Sequence, residues 1–461
     1  QKTAYEMLRS LVGSEMCIRD RFCSVFRSKT LEISGNFKYF AKLGLGWPLG
    51  YAFVFIFDEK PLINVDIQPS LPDRRLHALT VAWCINAFAY AIAYPFLPIY
   101  LHSERGFPMH QVGTMYLIMG MARMLAPPIC GPLVDRFGRR LILIAAPAVR
   151  GMTYLVFAAA VFCHADFWAL AILLFAVMFL GGFFQNATDA YVADITPAPQ
   201  RAEAFSRIRV GLNIGWMAGP AVGAFLARTP FALLFAVTGA LCLLTPIAIA
   251  LFCPEPEQHG AKEDETPLIA VFRRDRAFLF LLAASFPVFL VSSQLVSTLS
   301  VYAKEHVGMS SAEIGFLYTL NGLLVIIFQM PLSRSVARVH FALRAAAGAV
   351  FYTLGYFSVA FCRQAWQMLL SVAVFTVGEM LAFPTLSSSA SHMAPSGMVG
   401  RYLGLYGLMW GLAYSLGPFL GSVLYEHLGH EPALFWGAIA LCGVAASVGF
   451  LRMRRLAVLR A

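Results

Sequence analysis

Twelve apolar runs, each close to the length a helix needs to cross a bilayer, follow one another along this chain: 76–101, 111–133, 141–163, 167–191, 205–227, 231–253, 277–302, 312–332, 342–362, 366–391, 402–424 and 433–451. A helix rises 1.5 Å per residue, so about 20 apolar residues cover a hydrocarbon core roughly 30 Å thick. A backbone in lipid must satisfy its own hydrogen bonds, which selects helices for runs of this length. The expected fold class is therefore an all-α membrane protein with twelve transmembrane helices. Composition agrees: 59% of residues are hydrophobic and only 13% charged, with mean hydropathy +0.68, whereas roughly a quarter of an average soluble chain is charged. The longest break between runs, from Cys253 to Arg276, carries CPEPEQHGAKEDET and reads as a polar linker too small for a soluble catalytic domain. A membrane-embedded enzyme should gather an acid, histidine or metal constellation at one face. The sequence shows none, so an enzyme is not expected.

The basic residues are informative by position. Of the 35 Lys and Arg, nine precede Arg74, and Arg123 and Arg150 fall inside apolar runs. If Arg74 and Arg75 face the cytoplasm, even-numbered connections and the C-terminus hold 20 of the remaining 24. Odd-numbered connections hold only Arg105, Arg228, Lys304 and Arg363. This asymmetry places both termini in the cytoplasm by the positive-inside rule. It also explains the pI of 9.2 without nucleic acid. The clusters Arg273, Arg274, Arg276 and Arg452, Arg454, Arg455 set topology and meet anionic lipid head groups. The expected setting is a bacterial inner (plasma) membrane, with a monomeric protein.

Nine cysteines are scattered without a CxxC pair, so no disulfide framework follows. The nearest approach to a metal pattern is EHLGHE, Glu426 to Glu431. It lies in a loop and lacks a closed four-ligand set. Neither a metal nor a cofactor is expected.

The first seventy residues stand apart. Leu11 to Asp20, LVGSEMCIRD, resembles the translation of a transposase adapter used to prepare sequencing libraries, and residues 1–21 are read as a non-native leader. No methionine occurs between Met16 and Met109, so initiation at a Leu or Val codon is expected, with Leu71 a candidate. Residues 22–73 are read as a disordered or untranslated-leader segment. The domain expectation is then a six-helix bundle over 74–253, a cytoplasmic linker over 254–276, a second bundle over 277–455 and a cytoplasmic tail over 456–461.

The two bundles look like copies. Gly113, Tyr116 and Gly120 match Gly315, Tyr318 and Gly322 at a constant shift of 202, while Pro197, Gly219, Pro220 and Gly223 match Pro395, Gly417, Pro418 and Gly421 at a shift of 198. The halves are expected to be parallel repeats with a site between them, the arrangement that alternating access uses.

Between runs 2 and 3 lies GPLVDRFGRR, Gly131 to Arg140. It resembles the signature G-x-L-x-D-R-x-G-R-R that the major facilitator superfamily carries at this position, with Gly131, Leu133, Asp135, Arg136, Gly138, Arg139 and Arg140 all fitting. The resemblance covers about residues 74 to 455 and implies the major facilitator fold. It also implies that Asp135 and its arginines lock the cytoplasmic side while the carrier faces out. A carboxylate among arginines at a helix end suits such a role, because a charge-assisted network can be made in one conformer and broken in the other. The second copy keeps Arg338 but has Ser333 and Ala337 in place of Gly131 and Asp135, which makes the latch asymmetric.

Gly211 to Gly223, GLNIGWMAGPAVG, resembles the fifth-span signature G-x-x-x-G-P-x-x-G of proton-driven exporters at Gly215, Gly219, Pro220 and Gly223. Small residues at i and i+4 let helices approach closely, and Pro220 favours a bend. Gly378 to Leu405 also looks like the bacterial twelve-span drug:proton antiporter branch. One feature departs from that branch: the fourth run, FLGGFFQNATDAYVAD, has no arginine.

Candidates for proton coupling are Glu379, Asp189, Arg123 and Arg150. Glu379, in the middle of run 10, is either a proton carrier or a hydrogen-bonded packing residue. Asp189 is either a coupling residue or the partner of Arg150. Runs 1, 4, 7 and 10 line the cavity in the family plan, which nominates Asn86, Tyr90, Tyr94, Gln185, Asn186 and Gln294 as cavity residues. Polar, aromatic walls suit an amphipathic organic compound. The expected function is proton-coupled export of such compounds by alternating access. The alternative is a proton-coupled importer or facilitator of a sugar, an organic acid or another metabolite.

Overall fold

The computed structural model describes residues 74–197, 200–256, 275–395 and 398–458. The leader expectations for 1–73 and most of the linker lie outside the described residues. The described residues contain helices and connections and no strand. The helices run α1 Arg74–Glu104, α2 Met109–Phe137, α3 Arg139–Phe162, α4 Phe167–Ile195, α5 Arg201–Leu226, α6 Phe231–Phe252, α7 Arg276–Val296, α8 Ser311–Ser335, α9 Phe341–Val359, α10 Ala365–Met393, α11 Val399–Leu428 and α12 Pro432–Val458, with a short helix Thr298–Glu305 after α7. Ten of these are long and apolar enough to cross a membrane; α5, with Arg201, Arg207 and Arg209 near its start, and α9, with Arg344, do not meet that measure. Pro95 and Pro98 remove backbone donors within α1, which continues through a 3₁₀ turn at Tyr94–Phe96 and a π turn at Tyr100–Glu104.

The packing repeats. In the first half α1 lies against α5 and α6, α3 against α4 and α6, and α2 against α4. In the second half α7 lies against α11 and α12, α9 against α10 and α12, and α8 against α10. The halves meet through α2 with α11 and α8 with α5. These two seams are equivalent residue by residue. Gly113 faces Ser422 and Gly315 faces Ala224, while Gly120 faces Ser415 and Gly322 faces Met217. The glycines are related by the 202 shift and their partners by the 198 shift. Gly106 and Gly308, again 202 apart, both adopt positive φ in the loops after α1 and after Thr298–Glu305.

The α5 signature forms one stripe against α1. A Cβ added at Gly215 would lie 2.6 Å from the Cys84 carbonyl oxygen, and one at Gly219 would lie 2.9 Å from that of Phe88. Neither backbone atom can move without shifting the helix. The Pro220 carbonyl lies on the opposite side, against Gly315 of α8. Gly215→Ala is therefore expected to lower the apparent melting temperature in detergent, reflecting an overpacking cost of about 1–3 kcal/mol. Gly437→Ala, whose new Cβ meets only the Phe357 ring at 3.7 Å, should leave it unchanged.

Candidate transport pathway and its gates

Both 29-residue helices α2 and α10 start at the end of the bundle opposite GPLVDRFGRR. That end is termed the far end, and the one bearing Gly131–Arg140 the hinge end. The hinge is almost entirely helical. Gly131 to Phe137 form the last turns of α2 and Arg139 opens α3, so the chain reverses at Gly138 alone. Gly138 has φ 90°, a conformation that disfavours a side chain, and an added Cβ would meet the Glu255 carboxylate. That carboxylate accepts from the Arg139 and Arg140 amides at 2.7 and 3.0 Å, neutralising the positive start of α3. The Arg139 guanidinium donates through Nε to Asp194 at 2.8 Å and lies 3.1 Å from Asp135. Asp194 is 9% exposed and Asp135 72%. Arg136 is also exposed, its guanidinium 5.3 Å from the Phe137 ring, and Arg140 donates to the Ala250 carbonyl at 2.8 Å. Among the described residues, the hinge makes its ion pairs within the first half.

The far end is tied across the halves. Lys304 lies 3.2 Å from Glu104, and Glu305 accepts from Ser103 at 3.1 Å and lies 3.3 Å from His102. Within the second half Tyr425 donates to Glu305 at 3.1 Å, and across the halves His110 meets Glu426 at 2.7 Å. Tyr116 donates to the Val296 carbonyl at 2.8 Å. Burial would raise the Glu305 carboxyl, but the hydrogen bonds from His102, Ser103 and Tyr425 outweigh it and hold Glu305 below the ordinary range. Packing between the halves then fades: the buried face of α8 ends at Tyr318, while Met124, Leu125, Ile326, Ile327 and Phe328 are exposed. The bundle is closed at the far end and open at the hinge end.

Between the ends lies a mid-depth chamber. Tyr90 and Tyr94 stack at 4.6 Å, Trp216 of α5 sits edge-on to both, and Tyr116 of α2 sits edge-on to Tyr94. Arg150, 4% exposed, donates to Asn86 at 2.9 Å and lies 5.6 Å from the Tyr90 ring and 5.7 Å from Tyr154. A neutral amide and two rings compensate the buried cation. Arg123 also lies 5.6 Å from the Tyr90 ring and is exposed. In the second half, half-buried Glu379 accepts from Asn321 at 2.8 Å, and Asn321 also donates to Thr376.

Several expected residues lie elsewhere. Asp189 accepts from Gln185 at 3.1 Å and does not reach Arg150. Arg150 packs on Gly181, eight residues and about 12 Å away along α4. Asn186 donates back to Gly182 of its own helix. Gln294, 4% exposed, donates to Leu290 and Gly417 and accepts from Thr298, so it fastens α7 to α11 and is not presented to the chamber. Trp216, Asn321, Asp194, Glu255 and the Glu305 cluster are additions from the structure. Asp194 follows Asp189 by five residues at the end of the same run and could have been weighed as a hinge partner. The ties across the halves join segments 180 or more residues apart, and no local pattern announces them.

Residues 79–418 match the family model of the Major Facilitator Superfamily, and the chain belongs to that family: it is a multi-pass integral membrane transporter, not an enzyme. It is 27% identical over 392 residues to the uncharacterized transporter YttB of Bacillus subtilis, covering 83% of this chain and 96% of that one. It is 25% identical over 369 residues to Multidrug resistance protein 2 of the same organism, covering 74% and 87%. Among solved structures, the fold is similar to a bacterial homolog of the human lysosomal transporter Spinster, with TM-score 0.70, 15% identity and coverage of 84% and 98%.

The far-end tie has a testable pH dependence. Because the folded-state Glu305 carboxyl is lowered, its contribution is present above the ordinary glutamate range near pH 4.3 and is lost as pH falls through the lowered value. Glu305→Gln should therefore lower the apparent melting temperature at pH 7, and the difference from wild type should shrink on acidification. An equal difference at pH 7 and pH 3 would contradict the assignment.

Proposed function

We propose that this transporter exports small amphipathic organic compounds in exchange for protons by rocking its two halves about the α2–α11 and α5–α8 seams. The hinge end faces the cytoplasm, as the basic residues favour, all twelve helices span, and the setting is a bacterial inner membrane. The chain acts as a monomer in the lipid bilayer.

The observation that carries this reading is the register of the seams. Gly113 with Ser422 and Gly120 with Ser415 define one antiparallel register. Continuing it toward the hinge end pairs Gly131 with Gly404 and Asp135 with Gly400, at the start of α11. Gly131, Gly404, Gly407 and Gly411 each have nothing within 4 Å of an added Cβ, so the smooth faces for a second closed state stand apart and ready. Closing them brings Asp135 to the positive end of α11. The same extension on the other seam pairs Ser333 with Ser206 and Ala337 with Ala202, without a carboxylate. Only the first-copy latch is charge-dependent.

Glu379 supplies the coupling site. A charged carboxylate at mid-depth with one amide donor is costly, so it takes up a proton from whichever side the chamber faces unless a cationic group replaces it. Similarity to Multidrug resistance protein 2 supports export over import. In proteoliposomes, Glu379→Gln is expected to abolish substrate-driven proton movement. Accumulation of sugars or organic acids down a proton gradient, with no movement of amphipathic compounds, would favour the importer reading instead. Asp135→Asn removes a charge-assisted contact of about 1.5–3 kcal/mol and should slow transport about tenfold or more, while Ala337→Ser should have little effect. Gly404→Val should block transport without lowering the apparent melting temperature.

A further inference from the structure

The two arginines of the first half sit within reach of the same ring and differ in one respect. Arg150 is walled in: its guanidinium donates to Asn86 and lies near the Tyr90 and Tyr154 rings, with Nε buried and without a hydrogen-bond partner. Arg123 is presented to the opening, and among the described residues its contact is the face of Tyr90. A guanidinium carries five donors in a planar fork matched to a carboxylate, and a ring face satisfies none of them. Asp189, the acid on neighbouring α4, is engaged by Gln185 nearer the hinge end.

Arg123 and Glu379 share a depth. Each stands fourteen residues from the far-end start of a 29-residue helix, Met109 for α2 and Ala365 for α10, or about 21 Å along the axis. Aromatic rings line the space between these walls. Tyr94 sits edge-on to Tyr116 at 5.7 Å, the Tyr116 hydroxyl donates to the Val296 carbonyl of the other half, and in that half Tyr414 accepts from Ser292 of α7. Trp216 closes one side at 5.5 Å from Tyr90, and Trp410 lies 4.6 Å from Tyr414. A cation, an aromatic floor and an anion thus follow one another across the chamber.

We propose that the chamber recognises an organic zwitterion: a carboxylate on the Arg123 fork, an aromatic or apolar body over Tyr94 and Tyr414, and an ammonium group at Glu379. This rests on the transport reading above and names its substrate class. The ammonium and the proton then compete for one carboxylate, which gives exchange without a second titrating site. Arg123 is a specificity residue that holds the substrate's anionic end and plays no part in carrying the proton.

The test is equilibrium binding to the purified full-length protein in lipid nanodiscs, using four matched probes: a naphthyl-bearing amino acid, its methyl ester, its N-acetyl form and its N-acetyl methyl ester. The free amino acid should bind tightest. Arg123→Gln should weaken the two carboxylate-bearing probes about tenfold or more while leaving both esters unchanged, and Arg123→Lys should restore part of the loss. Unchanged ester binding also reports that the variant is folded. The proposal fails if the methyl ester binds wild type as tightly as the amino acid, if Arg123→Gln weakens all four probes equally, or if none binds saturably. Binding needs no gradient, so the two readings separate: charge discrimination without proton flux in vesicles defeats the coupling and spares the recognition. Proton flux driven equally well by ester and acid does the reverse.

Discussion

Close approach of glycine to small or backbone groups at two symmetry-related seams is the constraint on which the remaining structure depends. Gly113 and Gly120 of α2 against α11, and Gly315 and Gly322 of α8 against α5, let the halves touch with little side-chain interdigitation. The same device works within each half: the glycines of α5 press on the α1 backbone, and Gly348 and Gly378 bring α9 and α10 together. Such stripes bind helices into rigid bodies.

Charge in a low-dielectric setting then decides which end is shut. Far-end pairs such as Lys304–Glu104 and His110–Glu426 are partly exposed, and each alone contributes little. Their number, together with the Tyr116–Val296 hydrogen bond and with Tyr425 of the second half positioning Glu305, ties the halves at this end. At the hinge end the buried Arg139–Asp194 pair shapes the α2–α3 turn, and the exposed Asp135 pairs with the same Arg139. Opposed gates that cannot both be satisfied around one chamber are the physical content of alternating access.

Much of this was legible in the chain. Apolar runs near twenty residues announced the helices, and the 202 and 198 shifts announced the repeat, because duplicated packing reuses the same small residues at the same depths. The hinge signature pointed to the family. Partnerships between distant helices were less legible. Arg150 and Asp189 look like an ion pair by residue type, yet Arg150 of α3 packs on Gly181, eight residues from Asp189 along α4, and donates to Asn86. Gln294 looks like a cavity residue by its helix, but its rotation about the axis turns it onto Gly417. Period and length are local properties that a sequence displays, whereas depth and rotation come from packing.

In the proposed transport cycle the hinge end and the far end open in opposition around the chamber. Spin labels at Phe137 and Leu403 report the hinge end, and labels at Gln111 and His427 the far end, by pulsed electron resonance in nanodiscs. With Glu379→Gln standing for the protonated carrier, or with pH lowered to protonate Glu379 directly, one distance is predicted to lengthen as the other shortens. Distances that lengthen together, or a hinge-end distance that stays fixed while the far end opens, would contradict the account.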